Sequence, residues 1–211
     1  MTNGLKVKKR NGAIEPIALE KMHKMVEAAT DGLAGVSASQ VEIQSGIQFY
    51  DGISTQEIQE ILIRSASDLI DLDHPNYQFV AARLLLFATR KSLYGRMKDL
   101  PHLVDHINSC VAAKVYDYGI YDAYSLEEIQ QADRWIDHER DFMFTYAGLR
   151  QVVDKYLVQD RSTGQVFETP QFMYMMIALT MFAKYPKDTR MEYVRRYYNA
   201  ISKHRINIPT P

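Results

Sequence analysis

The stretch LKVKKRNGAIEPIALEKMHK, residues 5–24, decides the fold of the first part of the chain. Apolar and basic residues alternate at its start, and Asn11-Gly12 supplies the two positive-φ positions of a tight turn. This pattern predicts a β-hairpin over residues 5–17. From about Ala18 to Thr30 the apolar residues recur at helical spacing and predict a helix.

Three more helices are predicted before residue 95. Ser37 and Ser54 each precede a Gln or Glu by three residues, the capping-box spacing that opens a helix. A fourth helix follows Pro75 and stops near Gly95. The predicted first unit, residues 1–95, therefore combines a two-stranded hairpin with four helices, which is near the lower end of domain size.

Residues 96–211 are rich in aromatic side chains and predominantly helical in pattern. Ser125 precedes Glu128 by three residues, the same capping-box spacing, and is predicted to open one helix. Another helix is predicted over Tyr146–Val158, after which a turn at Arg161–Gly164 joins two short extended pieces, Lys155–Val158 and Gln165–Phe167. Pro170 introduces an apolar helix that ends near Phe182, and a last amphipathic helix covers residues 188–203. The predicted fold class is mainly α.

Composition excludes several classes of protein. The 211 residues are 46% hydrophobic and 24% charged with a net charge of −1, which excludes a disordered or fibrous chain. No apolar run reaches the roughly 20 residues that cross a bilayer, so no membrane association is expected. The one cysteine, Cys110, excludes an internal disulfide and a cysteine-based zinc site, and it is consistent with a reducing cytoplasm. We expect it to be a buried apolar filler.

Two lysines are predicted to point toward the interior of the first unit. Lys9 shares a strand face with Leu5 and Val7, and Lys91 follows Phe87 by four residues on an apolar helical stripe. A buried ammonium needs a partner, so the two lysines suggest a phosphate pocket, to which Thr55 at a helix start could add a hydroxyl. The alternative is that both side chains reach water from the ends of their elements. The first 25 residues carry six basic and two acidic side chains. This balance indicates a local anion site rather than a surface that binds nucleic acid.

The sequence resembles a known family along essentially its entire length. The opening stretch, FYDGISTQEIQE at 49–60 and FVAARLLLFATRKSLYG at 79–95 resemble the ATP-cone of class I ribonucleotide reductase large subunits. The likeness continues through WIDHERDFMFTYAGLRQVVDKYLVQDRSTGQVFETPQFMYMMIA at 135–178 to NIPTP at 207–211. The resemblance implies an ATP-cone, residues 1–95, and a helical region, 96–211, that ends at the first strand of an otherwise absent α/β barrel.

The resemblance also implies the positions of a nucleotide site. Lys9, Lys91 and Thr55 match the residues that hold the phosphates of ATP or dATP, with Mg²⁺ accompanying the nucleotide and Arg10 as an auxiliary cation. The segment expected to hold base and ribose is Glu15, Pro16, Ile17, Ala18, Leu19, Glu20 and Lys21, of which Lys21 reaches back to phosphate. Thr210 matches a threonine that contacts substrate phosphate. No catalytic residue and no metal ligand of this chain's own is implied.

Two positions depart from the family pattern. Ala18 stands where members often carry Asn, and Gln59 stands where they carry a His near the phosphates. The loss of a polar group and of a titratable cation is expected to weaken binding or to change the distinction between ATP and dATP. We therefore expect the pocket to persist while inhibition by dATP is in doubt.

The family's reaction implies partners. Its redox and radical-carrying cysteines lie beyond the matched region and Cys110 matches none of them, so the chain alone is expected to be inactive. It is expected to act with the remainder of the large subunit and with the radical-generating small subunit. The apolar helix Phe172–Phe182 and the extended end of the chain are the expected interface to that remainder.

Alternatives remain open from the sequence. The chain could instead be a stand-alone nucleotide-sensing regulatory or interaction protein built on a decayed ATP-cone. His102 and His106 share a helix face, and we interpret them as a surface pair rather than a metal site. The charged run Asp137–Asp141 is interpreted as a salt-bridged helical segment rather than acid–base machinery.

Overall fold

The structure, a computed structural model, describes residues 4–206. It contains two compact units. One is formed by residues up to Ala88 together with Phe142–Gln151, and the other by Thr89–Asp141 together with the residues from Val152 onward. The fold is mainly helical with a β-hairpin near its start, as predicted from the sequence.

The first unit begins with strands and continues with helices. The elements up to residue 94 are β1 Lys6–Lys8, β2 Ile14–Pro16, α1 Leu19–Thr30, α2 Ala38–Gly46, β3 Ile53–Ser54, α3 Thr55–Asp68 and α4 Tyr77–Tyr94. The hairpin and the four helices are thus confirmed. Gly95 follows α4 with φ of 71°, a left-handed position that favours glycine and ends the helix.

The sheet has a third strand that sequence analysis did not predict. Strand β3 pairs with β1 in parallel, and the strand order is β2-β1-β3. Val7 lies opposite Ile53, and both side chains are buried at 2% and 0% exposure. The hairpin is therefore anchored to the helices through a strand of only two residues, too short to show a periodic pattern.

Two of the three capping boxes have the predicted geometry. The hydroxyl of Ser54 accepts from Glu57 N–H while the Glu57 carboxylate accepts from Ser54 N–H, and Ser125 and Glu128 do the same. At α2, Ser37 accepts from Gln40 N–H, but the second half of the box is different. The hydroxyl of Tyr77 accepts from Ser37 N–H at 2.9 Å and donates to the Gln40 side chain at 2.5 Å. In a complete box the Gln40 side chain would accept from Ser37 N–H, and here the Tyr77 hydroxyl of α4 accepts that hydrogen bond instead.

The remaining elements are mostly helices, as predicted for this region, and one predicted extended piece is wrong. They are α5 Leu103–Ala112, α6 Gly119–Ala123, α7 Leu126–Asp133, a 3₁₀ helix His138–Met143, α8 Tyr146–Lys155, β4 Gln159–Asp160, β5 Gln165–Val166, α9 Pro170–Phe182 and α10 Arg190–Ile201. The extended piece predicted at Lys155–Val158 is wrong, because Lys155 still belongs to α8 and the paired strand begins at Gln159. No helix among residues 4–206 is both long and apolar enough to cross a membrane.

A chain of hydrogen bonds between buried polar groups joins four elements of the second unit. Arg90, 2% exposed, donates to Asp141 at 2.9 Å and to the His138 carbonyl at 2.7 Å. Gln171 donates to the other Asp141 oxygen at 2.9 Å and accepts from Tyr198 at 2.7 Å. Each buried charge therefore has a charged or hydrogen-bonding partner, as burial requires.

The structure of the 3₁₀ helix confirms one part of the prediction for the run Asp137–Asp141 and corrects another. Arg140 is paired with Asp137 at 3.2 Å, so the run is salt-bridged as predicted. Asp141, however, is only 1% exposed and belongs to the core rather than to a solvated helix face. Burial raises the pKa of Asp141 to about 6, while Arg90 and Gln171 oppose the shift.

Helix α5 carries a histidine that is buried rather than exposed. His102 is on the surface and bonds Asp133 at 2.8 Å, but His106 is 2% exposed and stacks on Phe172 with ring centroids 4.1 Å apart. The predicted surface pair is therefore wrong for His106. Burial lowers the pKa of His106 to about 4, with a smaller contribution from the charge of His138. Cys110, on the next turn, is buried as expected, and burial raises its pKa to about 12.

The Arg90–Asp141 pair generates a stability prediction. Asp141→Ala leaves the guanidinium buried without its counterion, which costs about 3–5 kcal/mol of the free energy of unfolding. The double variant Arg90→Met/Asp141→Leu removes both charges, and we expect it to recover part of that loss. Urea denaturation measures both. A double variant less stable than Asp141→Ala would contradict the prediction.

The buried histidine generates a pH prediction. The pKa of His106 is about 4 when folded and 6.5 in its ordinary state. The unfolded chain therefore binds more protons between these values, and the stabilising contribution is lost as pH falls from 6.5 to 4. Over this pH range the free energy of unfolding changes by at most about 3 kcal/mol through His106. Unfolding curves of wild type and His106→Gln should differ most at pH 7 and converge toward pH 4. The pKa of Asp141 shifts in the opposite direction, but Asp141 is present in both proteins and cancels in the comparison. A stability difference between the two proteins that stays constant with pH would disprove the histidine effect.

Candidate functional site

The parallel pairing of β1 with β3 brings Lys9 and Thr55 to one edge of the sheet. Lys8 lies opposite Ser54, and the next residue of each segment is Lys9 and Thr55 respectively. Lys9 lies directly after β1, while Thr55 is the first residue of α3. Two of the residues predicted to hold phosphate are thus neighbours in the fold although 46 positions separate them in the sequence.

Lys9 is paired with another predicted site residue. Its Nζ lies 3.3 Å from the Glu15 carboxylate, and the side chains are 28% and 54% exposed. The turn beneath them is fixed by hydrogen bonds from Lys9 N–H to the Ala13 carbonyl and from Gly12 N–H to the Lys9 carbonyl. Lys9 is therefore half-buried, and a carboxylate occupies the place beside its ammonium.

The two helix starts near this edge differ in how their N–H groups are satisfied. At α3 the Ser54–Glu57 box satisfies the first turn, and the side chain of Thr55 is half-buried beside it. At α1 the residue before the helix is Ala18, which has no side-chain cap. Lys21 N–H donates to the Ala18 carbonyl at 3.1 Å, and the start of the helix carries the positive end of the helix dipole. Gln59, one turn into α3, is 8% exposed and lies on the helix face of Thr55.

The segment predicted to hold base and ribose leads from β2 into α1. Glu15 and Pro16 belong to β2, and Leu19, Glu20 and Lys21 form the first turn of α1. Ile17 N–H donates to the Leu5 carbonyl at 2.9 Å, which ties the connection to the start of β1. The exposed members of the segment are Glu15, Pro16, Glu20 and Lys21, and the half-buried ones are Ile17, Ala18 and Leu19.

Lys91 does not point into the core as predicted. It is exposed on the last turn of α4, whereas its neighbour Arg90 is 2% exposed and joins the buried network with Asp141. Lys91 and Lys9 also belong to different compact units. The structure therefore groups Lys9, Glu15 and Thr55, while the assignment of Lys91 rests on the resemblance alone. Arg10 is exposed in the hairpin turn, and Thr210 lies outside the described residues.

A cavity that sequence analysis did not anticipate lies between α1 and α2. It measures about 460 Å³ and includes Leu19 and Glu20, but neither Lys9 nor Thr55. His23 closes one side with Nδ1 2.7 Å from Glu42 and Nε2 3.1 Å from Glu27. Hydrogen bonding and charge from Glu42, with a smaller effect of Glu27, raise the pKa of His23. Within residues 4–206, no cluster of three or more His, Cys, Asp or Glu side chains is arranged to hold a metal ion.

Comparison with known proteins gives two matches to family models. Residues 5–92 match the ATP cone domain. Residues 142–211 match the all-alpha domain of ribonucleotide reductase. The first match contains both strands of the hairpin and α1 to α3, and the second contains α9 and α10.

Curated relatives match over the full length of the chain. The ribonucleoside-diphosphate reductase subunit alpha of Haemophilus influenzae is 47% identical over 211 residues, and the reductase 1 subunit alpha of Escherichia coli is 46% identical over 211. The subunit alpha of Enterobacteria phage T4 is 40% identical over 209 residues. The chain spans 28%, 28% and 27% of these relatives respectively. With its hairpin, four helices and all-alpha segment, the chain belongs to the ribonucleotide reductase large-subunit family and corresponds to the N-terminal part of an alpha subunit.

Proposed function

We propose that the chain carries the allosteric activity site of a ribonucleoside-diphosphate reductase, which binds ATP or dATP. The observation that carries the proposal is the juxtaposition of Lys9, Glu15 and Thr55 at the end of the parallel β1–β3 pair. We assign residues 1–95 to the ATP-cone and 96–211 to the helical region. The match of residues 5–92 to the ATP cone domain supports the first assignment.

Each residue has a separate task in the proposed site. Lys9 contacts the polyphosphate, and the Thr55 hydroxyl donates to a phosphate oxygen beside it. The segment Glu15, Pro16, Ile17, Ala18, Leu19, Glu20 and Lys21 holds base and ribose. Lys91 supplies a second ammonium to the phosphates. Mg²⁺ arrives with the nucleotide and neutralises part of its phosphate charge.

The Lys9–Glu15 pair indicates how binding begins. A phosphate oxygen must take the place of the Glu15 carboxylate beside Nζ, because an ammonium on a half-buried stem has room for few anions. Glu15 is then released toward the base, where the resemblance assigns it. The exchange replaces one carboxylate by a more highly charged phosphate, which favours the bound state.

The two departures from the family bear on the choice between nucleotides. Ala18 leaves the start of α1 without a side-chain hydrogen bond, and Gln59 is a neutral, buried group where members carry a His. Ala18 belongs to the segment assigned to base and ribose, and Gln59 lies one turn after Thr55 on the same face of α3. We propose that the distinction between ATP and dATP is weaker here than in members that retain both polar groups.

The enzyme activity itself requires other polypeptide. We propose that this chain acts with the remainder of the large subunit and with the radical-generating small subunit in the cytoplasm. Together they would reduce ribonucleotides to deoxyribonucleotides, with Thr210 contacting substrate phosphate. The support is that the relatives are alpha subunits of which the chain spans 28%.

Nucleotide titration tests the activity site. Lys9→Ala removes a charge-assisted hydrogen bond worth about 1.5–3 kcal/mol, so we expect the affinity for ATP to fall about 10- to 100-fold. Isothermal titration calorimetry with ATP and with dATP, each with Mg²⁺, measures the effect. Lys91→Ala tests the second ammonium in the same way.

Lys24→Ala is the matched control, because Lys24 is an exposed lysine of the same unit that has no assigned contact. It should bind ATP like the wild type. An equal loss in both variants would indicate a general charge effect rather than a site at Lys9. No binding by the wild type would favour the second candidate, a regulatory or interaction protein with a decayed cone.

Turnover assays test the dependence on other polypeptide. The family's reaction uses a redox pair and a radical-carrying cysteine, whereas this sequence has only Cys110, which is buried. We therefore expect no deoxyribonucleotide from the chain mixed with a reductase small subunit, a ribonucleoside diphosphate and a dithiol. Formation of product above a no-chain blank would overturn this expectation.

A further inference from the structure

Helix α9 is apolar around most of its circumference, yet only part of that surface is covered. Phe172, Met175, Ala178 and Leu179 are completely buried, and the helix packs along α10. On another face the exposure rises along the helix until Met181 is 53% exposed. Sequence analysis predicted that the helix Phe172–Phe182 forms an interface, and only this exposed face is available for one, since most of the helix already lies in the core of its own unit.

The uncovered face forms one wall of a groove. Met173, Met176, Ile177, Thr180 and Met181 recur at the spacing i, i+3, i+4, i+7 and i+8, which aligns them in a stripe along α9. The opposite wall contains Ile120 and Ala123 of the short helix α6. The groove measures about 550 Å³ and is open to solvent along the stripe.

The floor of the groove contains two polar side chains that are already satisfied. The Tyr116 hydroxyl donates to the Glu168 carboxylate in a short hydrogen bond, and the other Glu168 oxygen accepts from Val158 N–H at 2.8 Å. Glu168 is 1% exposed, and burial raises its pKa. Because these groups bond each other, the floor favours apolar side chains over a polar metabolite.

From this geometry we infer that the groove between α6 and α9 receives an amphipathic helix from the remainder of the large subunit. A stripe at i, i+3, i+4 and i+7 is complementary to the apolar face of a second helix. The methionines supply an adaptable surface for such a contact. The inference rests on the proposed partnership with that remainder.

The identity of the occupant follows from the relatives. The match to the all-alpha domain includes all of α9. The matched segment is 28% of the Escherichia coli relative, so the other 72% of that relative belongs to the same polypeptide. Because that polypeptide is covalently attached, it is present at high effective concentration for surfaces of the matched part. A large apolar stripe on a protein that has no membrane-crossing helix among its described residues is typical of an interface with protein.

The test compares this chain alone with a chimera in which it replaces the matched part of the Escherichia coli relative. Hydrogen exchange of the α6 and α9 amides should slow at least about tenfold in the chimera. Met181→Glu should leave the thermal midpoint of the isolated chain unchanged, because Met181 is already exposed there, and should lower that of the chimera by several degrees. Leu72→Glu, at a fully exposed apolar residue of the other unit, is the matched control and should be silent in both.

Three outcomes would overturn the inference. They are unchanged exchange at α6 and α9, an equal effect of Met181→Glu in both proteins, and a concentration-dependent dimer of the isolated chain that Met181→Glu abolishes. The last would assign the groove to a second copy. If the chimera does not fold, the same remainder added as a separate polypeptide should bind the wild type at least about tenfold more tightly than Met181→Glu. ATP titration of the isolated chain tests the activity site independently, so failure of one proposal is distinguishable from failure of the other.

Discussion

The candidate site depends on the parallel pairing of two short strands. In this pairing Val7 lies opposite Ile53 and Lys8 lies opposite Ser54. Because Val7 is buried while Lys6 and Lys8 are exposed, a shift of β1 by one residue would expose Val7 and turn a lysine inward. The register is therefore strongly specified. It determines that Lys9 is placed beside Thr55 at the start of α3.

Local signals in the sequence predicted most of the fold. The Asn-Gly turn, the boxes at Ser54 and Ser125, and Pro170 at the start of α9 each act over four residues or fewer, so their physics is contained in the sequence itself. Contacts between distant residues were not predictable in the same way. Strand β3 has two residues and exists because β1 supplies its partner. The N–H of Ser37 donates to the hydroxyl of Tyr77, which is 40 positions away.

The candidate site shows the same division. Strand alternation predicted that Lys9 shares the inward face of Val7, and Lys9 is indeed half-buried whereas Lys8 is exposed. On α4 two cations could continue the apolar stripe toward the core, because Arg90 follows Phe87 by three residues and Lys91 follows it by four. Successive helical residues differ by about 100° in direction, so only one of the two can lie fully inside. Arg90 is buried because Asp141 supplies a carboxylate, and a fork-shaped guanidinium can bond that carboxylate and the His138 carbonyl together. Nothing near Lys91 in the sequence signals that partner.

The contrast between the two sides of α9 separates what this chain stabilises by itself from what it leaves to a partner. On the covered side Gln171 bonds both Asp141 and Tyr198, so the first turn of the helix is fixed by polar contacts as well as by packing. Toward the groove, the Tyr116–Glu168 pair satisfies the polar groups and leaves an apolar stripe above them. Such a stripe gains free energy only when another apolar surface removes it from water, at about 25 cal/mol per Å² covered. A helix that is apolar on nearly every side is typical of a core position, and the second helix that we infer in the groove would complete that position for α9.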